Sequence, residues 1–322
     1  MNTAINGSAI CSVHWNPTAY KIGATVAYCL IFIVSLVGNS CIGIIVHKTK
    51  TLRKPINIFI VNMAMSDLLV PLAFIPLEVV NLYRYSWLIS GVLGKAFCKL
   101  TTFLFDVSYI VSIQSMILIA VGRFEAVVWP LHSPLINLKR CTFFIFATWI
   151  VAMAFMSPLD LFARSLGKYE GELFCVYQWE EAFRESESFT ESGYILAYYI
   201  VFVYTPIILL IIIYSIILIK LKLQKTPGQQ SPNAEIQRNK RNRNALKLAI
   251  AILLGLIFCK IPWSIMYLYF YDIWLCGIFP YYETSWFLLI SYCAVNPCIC
   301  FSFCGNYREG LKRLLKCCSD SK

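Results

Sequence analysis

The sequence predicts an all-α membrane protein, a seven-transmembrane helix bundle with a short amphipathic C-terminal helix. Three observations carry that expectation. Of 322 residues, 59% are hydrophobic and only 14% charged, with mean hydropathy +0.67, whereas a soluble domain is about half apolar and about a quarter charged. Seven apolar segments, near 20–46, 56–83, 96–128, 141–162, 190–220, 244–270 and 280–303, are each long enough to cross a bilayer as a helix. Lysine and arginine gather in alternate connections, which is the signature of membrane topology. Helices are the required element because lipid cannot satisfy exposed backbone groups.

In chain order, the first segment carries Gly38-Asn39 at mid-length, and the second carries Asn62 to Leu69 with Asp67 inside it. The third runs from Cys98 to Arg123, 25 steps that span roughly 37 Å as a helix. A cysteine then sits at one membrane face and an arginine at the other. Asp106 and Gln114 lie between them, and intramembrane polar groups face a bundle interior or a wet cavity. Trp149 and Pro158 mark the fourth segment, Pro206 and Tyr214 the fifth, Cys259 to Pro262 the sixth, and Asn296-Pro297 the seventh.

Seven crossings place the termini on opposite sides. The first connection holds Lys48, Lys50, Arg53 and Lys54, the third basic connection holds eight cations between Lys220 and Lys247, and the tail holds five. That basic side is expected to be cytoplasmic, with the N-terminus outside. The residues divide into an outer tail (1–19), the membrane domain (20–303) and a cytoplasmic tail (304–322). Ser, Pro, Gln and Asn fill 226–239, which predicts a mobile loop. No cleavable signal peptide is evident in residues 1–19. Asn6-Gly7-Ser8 is a usable glycosylation acceptor on the outer side. In GNYREGLKRLLK, 305–316, Leu311, Leu314 and Leu315 share one face opposite Lys and Arg, as in a helix lying on the lipid interface. Cys317 and Cys318 follow it as palmitoylation candidates.

Together these motifs resemble a rhodopsin-like (class A) G-protein-coupled receptor from about residue 20 to 318, and the outer loop resembles that of neuropeptide receptors. The resemblance implies a Cys98–Cys175 disulfide, which suits an oxidising compartment. A second bridge between Cys11 and Cys276 is a further expectation. It also implies that Asn39, Asp67, Ser112 and Asn296 surround a sodium ion. Here the chain departs: where the family has tryptophan it carries Lys260. Lys260 is expected to pair with Asp67 and replace sodium; pairing with Asp106 or with a carboxylate of the ligand are the alternatives. At the cytoplasmic end the family's acid-Arg-Tyr motif reads Gly122-Arg123-Phe124, and the tyrosine that should meet Tyr214 is Cys300. The first change favours resting activity and the second weakens the active state. Arg123 and Tyr214 remain the expected G-protein contacts.

Seven glutamates between 170 and 191 would concentrate cationic ligands at the outer mouth. The GELFCVYQW segment alternates as strands do. By the family alignment Glu78, Phe105, Asp106, Tyr109, Trp263, Tyr267, Glu283 and Trp286 line the outer cavity, and carboxylates among aromatics suit a basic or amidated peptide. Amine receptors carry aspartate where this chain has Phe105, and a one-position shift turns a side chain about 100° on a helix. A lysine for retinal is missing from the seventh segment, where Ile290 stands. The partners expected are therefore an extracellular peptide, a heterotrimeric G protein and membrane lipid, at the plasma membrane. A receptor for an amine or other small molecule, or a weakly signalling decoy, is the alternative. A transporter would need inverted repeats and paired broken helices, and neither is visible. The three histidines, His14, His47 and His132, are scattered, with no nucleophile–base pair or metal spacing, so no enzyme is expected. Nor is nucleic-acid binding, because topology already explains the net charge of +11.

Overall fold

The computed structural model describes residues 17–84, 86–129, 133–183, 190–223, 232–270 and 279–319, with 17, 232–245, 279 and 317–319 described by backbone only. Asn6, Cys11 and Cys276 lie outside the described residues, as do the side chains of Cys317 and Cys318.

Among the described residues, seven helices are long and apolar enough to cross a membrane: Thr18–Lys48, Pro55–Arg84, Gly91–Val128, Leu138–Ala163, Glu191–Leu223, Leu246–Phe270 and Pro280–Phe303. Apolar side chains cannot hold helices together in lipid, so close packing and buried polar groups do. Gly38 gives the first helix its approach to the seventh: a Cβ there would stand 2.6 Å from Pro297. Gly255 does the same for the sixth, where a Cβ would meet Val295 at 2.9 Å. Asn62 binds three helices, donating to Ser115 Oγ at 2.9 Å and Thr148 Oγ1 at 3.3 Å and accepting from Trp149 Nε1 at 2.9 Å.

Three helices widen by a π-turn, at Val70–Phe74, Ser157–Ala163 and Ile200–Tyr204. Pro71 and Pro158 explain the first two, since proline has no N–H and its ring crowds the preceding turn. The sixth helix begins earlier than its apolar segment, at Pro232. The stretch 226–239, expected as mobile loop, is therefore helical in its part from 232 to 239. Proline suits the first helical position, and no other proline or glycine interrupts the sequence before Gly255.

Between the fourth and fifth helices lies an antiparallel hairpin, β1 (Arg164–Tyr169) and β2 (Glu172–Tyr177). Its two-residue turn has φ +49° at Glu170 and +87° at Gly171, the positive pair that fits hairpin twist. The disulfide Cys98–Cys175, with a Cα separation of 5.7 Å, fastens β2 to the third helix, and Trp87 N donates to Leu173 O at 2.6 Å. At the opposite, basic end the helix Gly305–Ser319 docks on the bundle. Tyr307 is buried there and donates to Asn57 Oδ1 at 3.3 Å. Leu311 and Leu314 pack inward while Leu315 stays exposed, so the amphipathic face is narrower than the three leucines suggested.

Candidate functional site

A cavity of about 890 Å³ opens at the hairpin end. The π-turns lie in the halves of the helices that surround it, and the disulfide holds the hairpin against its rim. Of the residues expected there, Glu78, Phe105, Asp106, Tyr109, Trp263, Tyr267 and Trp286 line it. Phe105 stacks on Phe74 at 4.2 Å and tilts against Trp286 at 6.0 Å. Trp286 in turn packs on Trp263 at 4.5 Å and donates from Nε1 to Glu78 Oε2 at 2.9 Å. The wall is thus aromatic, with its glutamate held in a fixed orientation.

Glu283 is a correction. It does not line the cavity; its carboxylate accepts from the Tyr20 hydroxyl at 2.6 Å. Three residues before Trp286, it is turned about 60° around the helix, toward the first helix.

Lys260 is the second correction. It forms no ion pair with Asp67 or Asp106. The residue is 2% exposed, and its ammonium meets no hydrogen-bond acceptor and lies 3.6 Å from the centre of the Tyr109 ring and 3.2 Å from that of Tyr292. Tyr292 is fixed by a 2.7 Å hydrogen bond with Ser108. The lysine therefore stands between cavity and core, within electrostatic reach of both Asp106 and Asp67.

Below it, Asn296 donates to Asp67 Oδ2 at 2.7 Å and, at 3.5 Å, to Ser112. Asn39 donates to the carbonyls of Ser35 and Cys293, both at 2.9 Å. Asp67 Oδ1 and Asn39 Oδ1 are buried without a hydrogen-bond donor. Those are oxygens of the kind a hard cation takes.

One cluster was missed in the sequence. Asp160 is fully buried and accepts from Arg164 Nε at 3.3 Å, through Oδ1, and its carboxyl is hydrogen-bonded with that of Asp106. The Arg164 guanidinium stacks 3.8 Å from the Tyr177 ring and lines the cavity beside Asp106. Burial disfavours the Arg164 cation, but Tyr177, Asp160 and Asp106 outweigh it and its pKa is raised. A carboxylate inside an apolar segment with arginine four residues later was the available signal.

At the basic end Tyr214 is buried with its hydroxyl unpartnered, within electrostatic reach of Arg123. Gly122 leaves room beside Arg123, since a Cβ there would meet nothing nearer than Ile136 at 3.8 Å. The nearest carboxylate in sequence, Glu125, is partly buried and caps the following connection, accepting from Leu135 N at 3.1 Å and Ile136 N at 3.4 Å. Cys300 is fully buried.

Seven apolar helices, the disulfide-anchored hairpin and the cavity beneath it define a seven-transmembrane receptor. The chain matches the 7 transmembrane receptor (rhodopsin family) over residues 38–299 and belongs to that family; it is a multi-pass membrane protein. It is similar to the RYamide receptor of Drosophila melanogaster, 26% identical over 94% of this chain and 65% of that protein. It is also similar to the substance-K receptor of Homo sapiens and neuropeptide FF receptor 2 of Mus musculus, each 26% identical over 91% of this chain and 72% of the relative. The chain thus spans just under two thirds of the first of these relatives and more of the others.

Proposed function

We propose that this chain is a plasma-membrane receptor, hairpin end outward, that binds a basic or amidated peptide and activates a heterotrimeric G protein. The cavity is the observation that carries this reading. It is open beside the hairpin and large enough for several side chains, and it sets Glu78 and Asp106 among Trp263, Trp286 and Tyr267. Relatives named for RYamide, substance K and neuropeptide FF support a peptide as ligand. Binding in the cavity would favour one arrangement of the helices over another. The readout is the basic end, where Arg123 and Tyr214 meet the G protein. The reading is of a receptor and not of an enzyme, and its basic surface faces lipid headgroups and G protein, not nucleic acid. Asn6 as glycosylation acceptor and Cys317 and Cys318 as lipid anchors fit the same orientation.

In the core, Asp67 Oδ1 and Asn39 Oδ1 could serve sodium, but Lys260 already supplies a fixed cation within electrostatic reach. Our reading is that this side chain takes the ion's place, without the direct ion pair. The weakly signalling alternative has one observation in its favour. Cys300 is buried where a phenol would be needed to meet Tyr214.

The test is second-messenger output in cells expressing the chain, without ligand and with a panel of short amidated basic peptides including Arg-Tyr-amide. A saturable, concentration-dependent response supports the receptor reading. Silence from protein present at the cell surface supports the decoy.

A further inference from the structure

The cavity wall carries two carboxyl groups, Glu78 and Asp106, and the fold balances only one of them. Asp106 is hydrogen-bonded with Asp160, and the Arg164 guanidinium stands within electrostatic reach of both. Two carboxyls bonded to each other share a proton, because an ionised carboxylate has acceptors only. That pair and Arg164 therefore sum to zero. Lys260 lies within reach of Asp67, and those two form a second neutral set. Lys168, the remaining cation of the cavity wall, is exposed on the hairpin rim.

Glu78 has no such compensation. Phe74, Leu77, Glu78 and Asn81 line the cavity at the spacing of one helical face, so Glu78 stands on the inner side of the second helix. Its partners are neutral donors, the Trp286 indole at 2.9 Å and the Asn81 amide. The charged group acting on it is another carboxylate, Glu283, which is itself bonded to the Tyr20 hydroxyl at 2.6 Å. Among the described residues neither glutamate has an ion-pair partner. The side of the cavity between the second and seventh helices thus carries negative charge that the fold leaves uncompensated.

The surroundings of Glu78 favour a guanidinium over an ammonium as the completing cation. Trp286 lies 5.8 Å from Phe74 and 4.5 Å from Trp263, so the carboxylate is set in an aromatic wall. A guanidinium is planar, stacks on aromatic faces and meets a carboxylate through two N–H groups at once. It is also more weakly hydrated than an ammonium and loses less on leaving water.

We propose that Glu78 is the subsite for a guanidinium of the ligand, and that Asp106 is an internally balanced part of the wall and not the ligand's counter-charge. The inference rests on the peptide reading above and deepens it. It assigns the peptide's positive charge to the side of the second and seventh helices, and makes Glu78 the residue that selects for arginine.

The experiment compares two forms of one short amidated peptide ending in Arg-Tyr, the second with citrulline in place of arginine, by displacement binding to the full chain in membranes. Citrulline keeps the length and planarity of arginine and lacks its charge. Wild type is expected to prefer the arginine form by about tenfold, the gain of a charge-assisted over a neutral hydrogen bond. Glu78→Gln should bring the two forms to equal affinity. Glu78→Asp, which keeps the charge but withdraws it by one methylene, should give an intermediate ratio and serves if the glutamine variant does not reach the surface. Asp106→Asn should keep the wild-type ratio, whatever it does to the affinity of both forms together. Surface abundance of each variant is read in parallel. Equal binding of the two forms by wild type, an unchanged ratio in a surface-expressed Glu78 variant, or a ratio lost in Asp106→Asn overturns the subsite and leaves the peptide reading intact. Binding of neither form overturns the peptide reading and the subsite with it.

Discussion

At the scale of single residues, glycines do two different jobs. Gly38 is a contact, since its missing Cβ is what lets Pro297 come close. Gly38→Leu is expected to cost about 1–3 kcal/mol by overpacking, read as a lower melting temperature of the detergent-solubilised protein. Gly122 is an omission beside Arg123, and there is room for a side chain. Gly122→Asp should add a carboxylate beside Arg123 and lower ligand-free signalling by about two- to fivefold, the range of a partly exposed ion pair. Unchanged resting output at equal surface expression would contradict this. The sequence made Arg123, Asp67 and Asp106 legible because a charged group inside an apolar run stands out. It did not reveal where Lys260 would rest. Its contacts are two tyrosines on other helices, 109 and 292, and no local pattern joins them. Glu283 was misplaced for a related reason: its position along the helix was right, but its rotation toward Tyr20 was not visible.

At the scale of elements, the hairpin and the tail helix are each held by a small number of fastenings. The Cys98–Cys175 bridge closes a loop of 77 residues, worth about 4 kcal/mol on the chain-entropy view. Cys175→Ser should release β2, lower thermal stability and abolish high-affinity peptide binding; retained binding would show that the hairpin is dispensable to the cavity. The tail helix touches the first helix so closely that a Cβ at Gly310 would lie 2.5 Å from Ile45. Gly310→Leu should lift it off, which cysteine labelling at an introduced Leu311→Cys would report as faster modification. Hydropathy made the seven helices plain, and alternation made the strands plain. The π-turns were not legible, because proline signals a disturbance without saying how the chain absorbs it. The helical stretch from Pro232 was missed because its polar composition resembles a loop, although it lacks internal helix breakers.

At the scale of the whole molecule, the bundle separates two functions by its length. The acidic and aromatic cavity lies at one end and the basic end carries Arg123, with a polar seam of Lys260, Asp67 and Asn296 between. If Lys260 is the seam's resident cation, peptide affinity should be the same in sodium and in an impermeant organic cation at equal ionic strength. A sodium-dependent shift in wild type would contradict that role. The class of molecule was legible in the order of its motifs along the chain, while the chemistry of its ligand depends on distances that only the folded cavity sets.

The decisive measurement is nucleotide exchange on purified heterotrimeric G protein by the chain reconstituted in lipid, as an amidated Arg-Tyr peptide is titrated. A saturable rise in exchange, lost on Trp263→Ala in the cavity and on Arg123→Ala at the opposite end, is the result expected if the two ends are linked through the bundle. Saturable peptide binding with no change in exchange for any heterotrimer would contradict that link and leave a binding protein that does not signal.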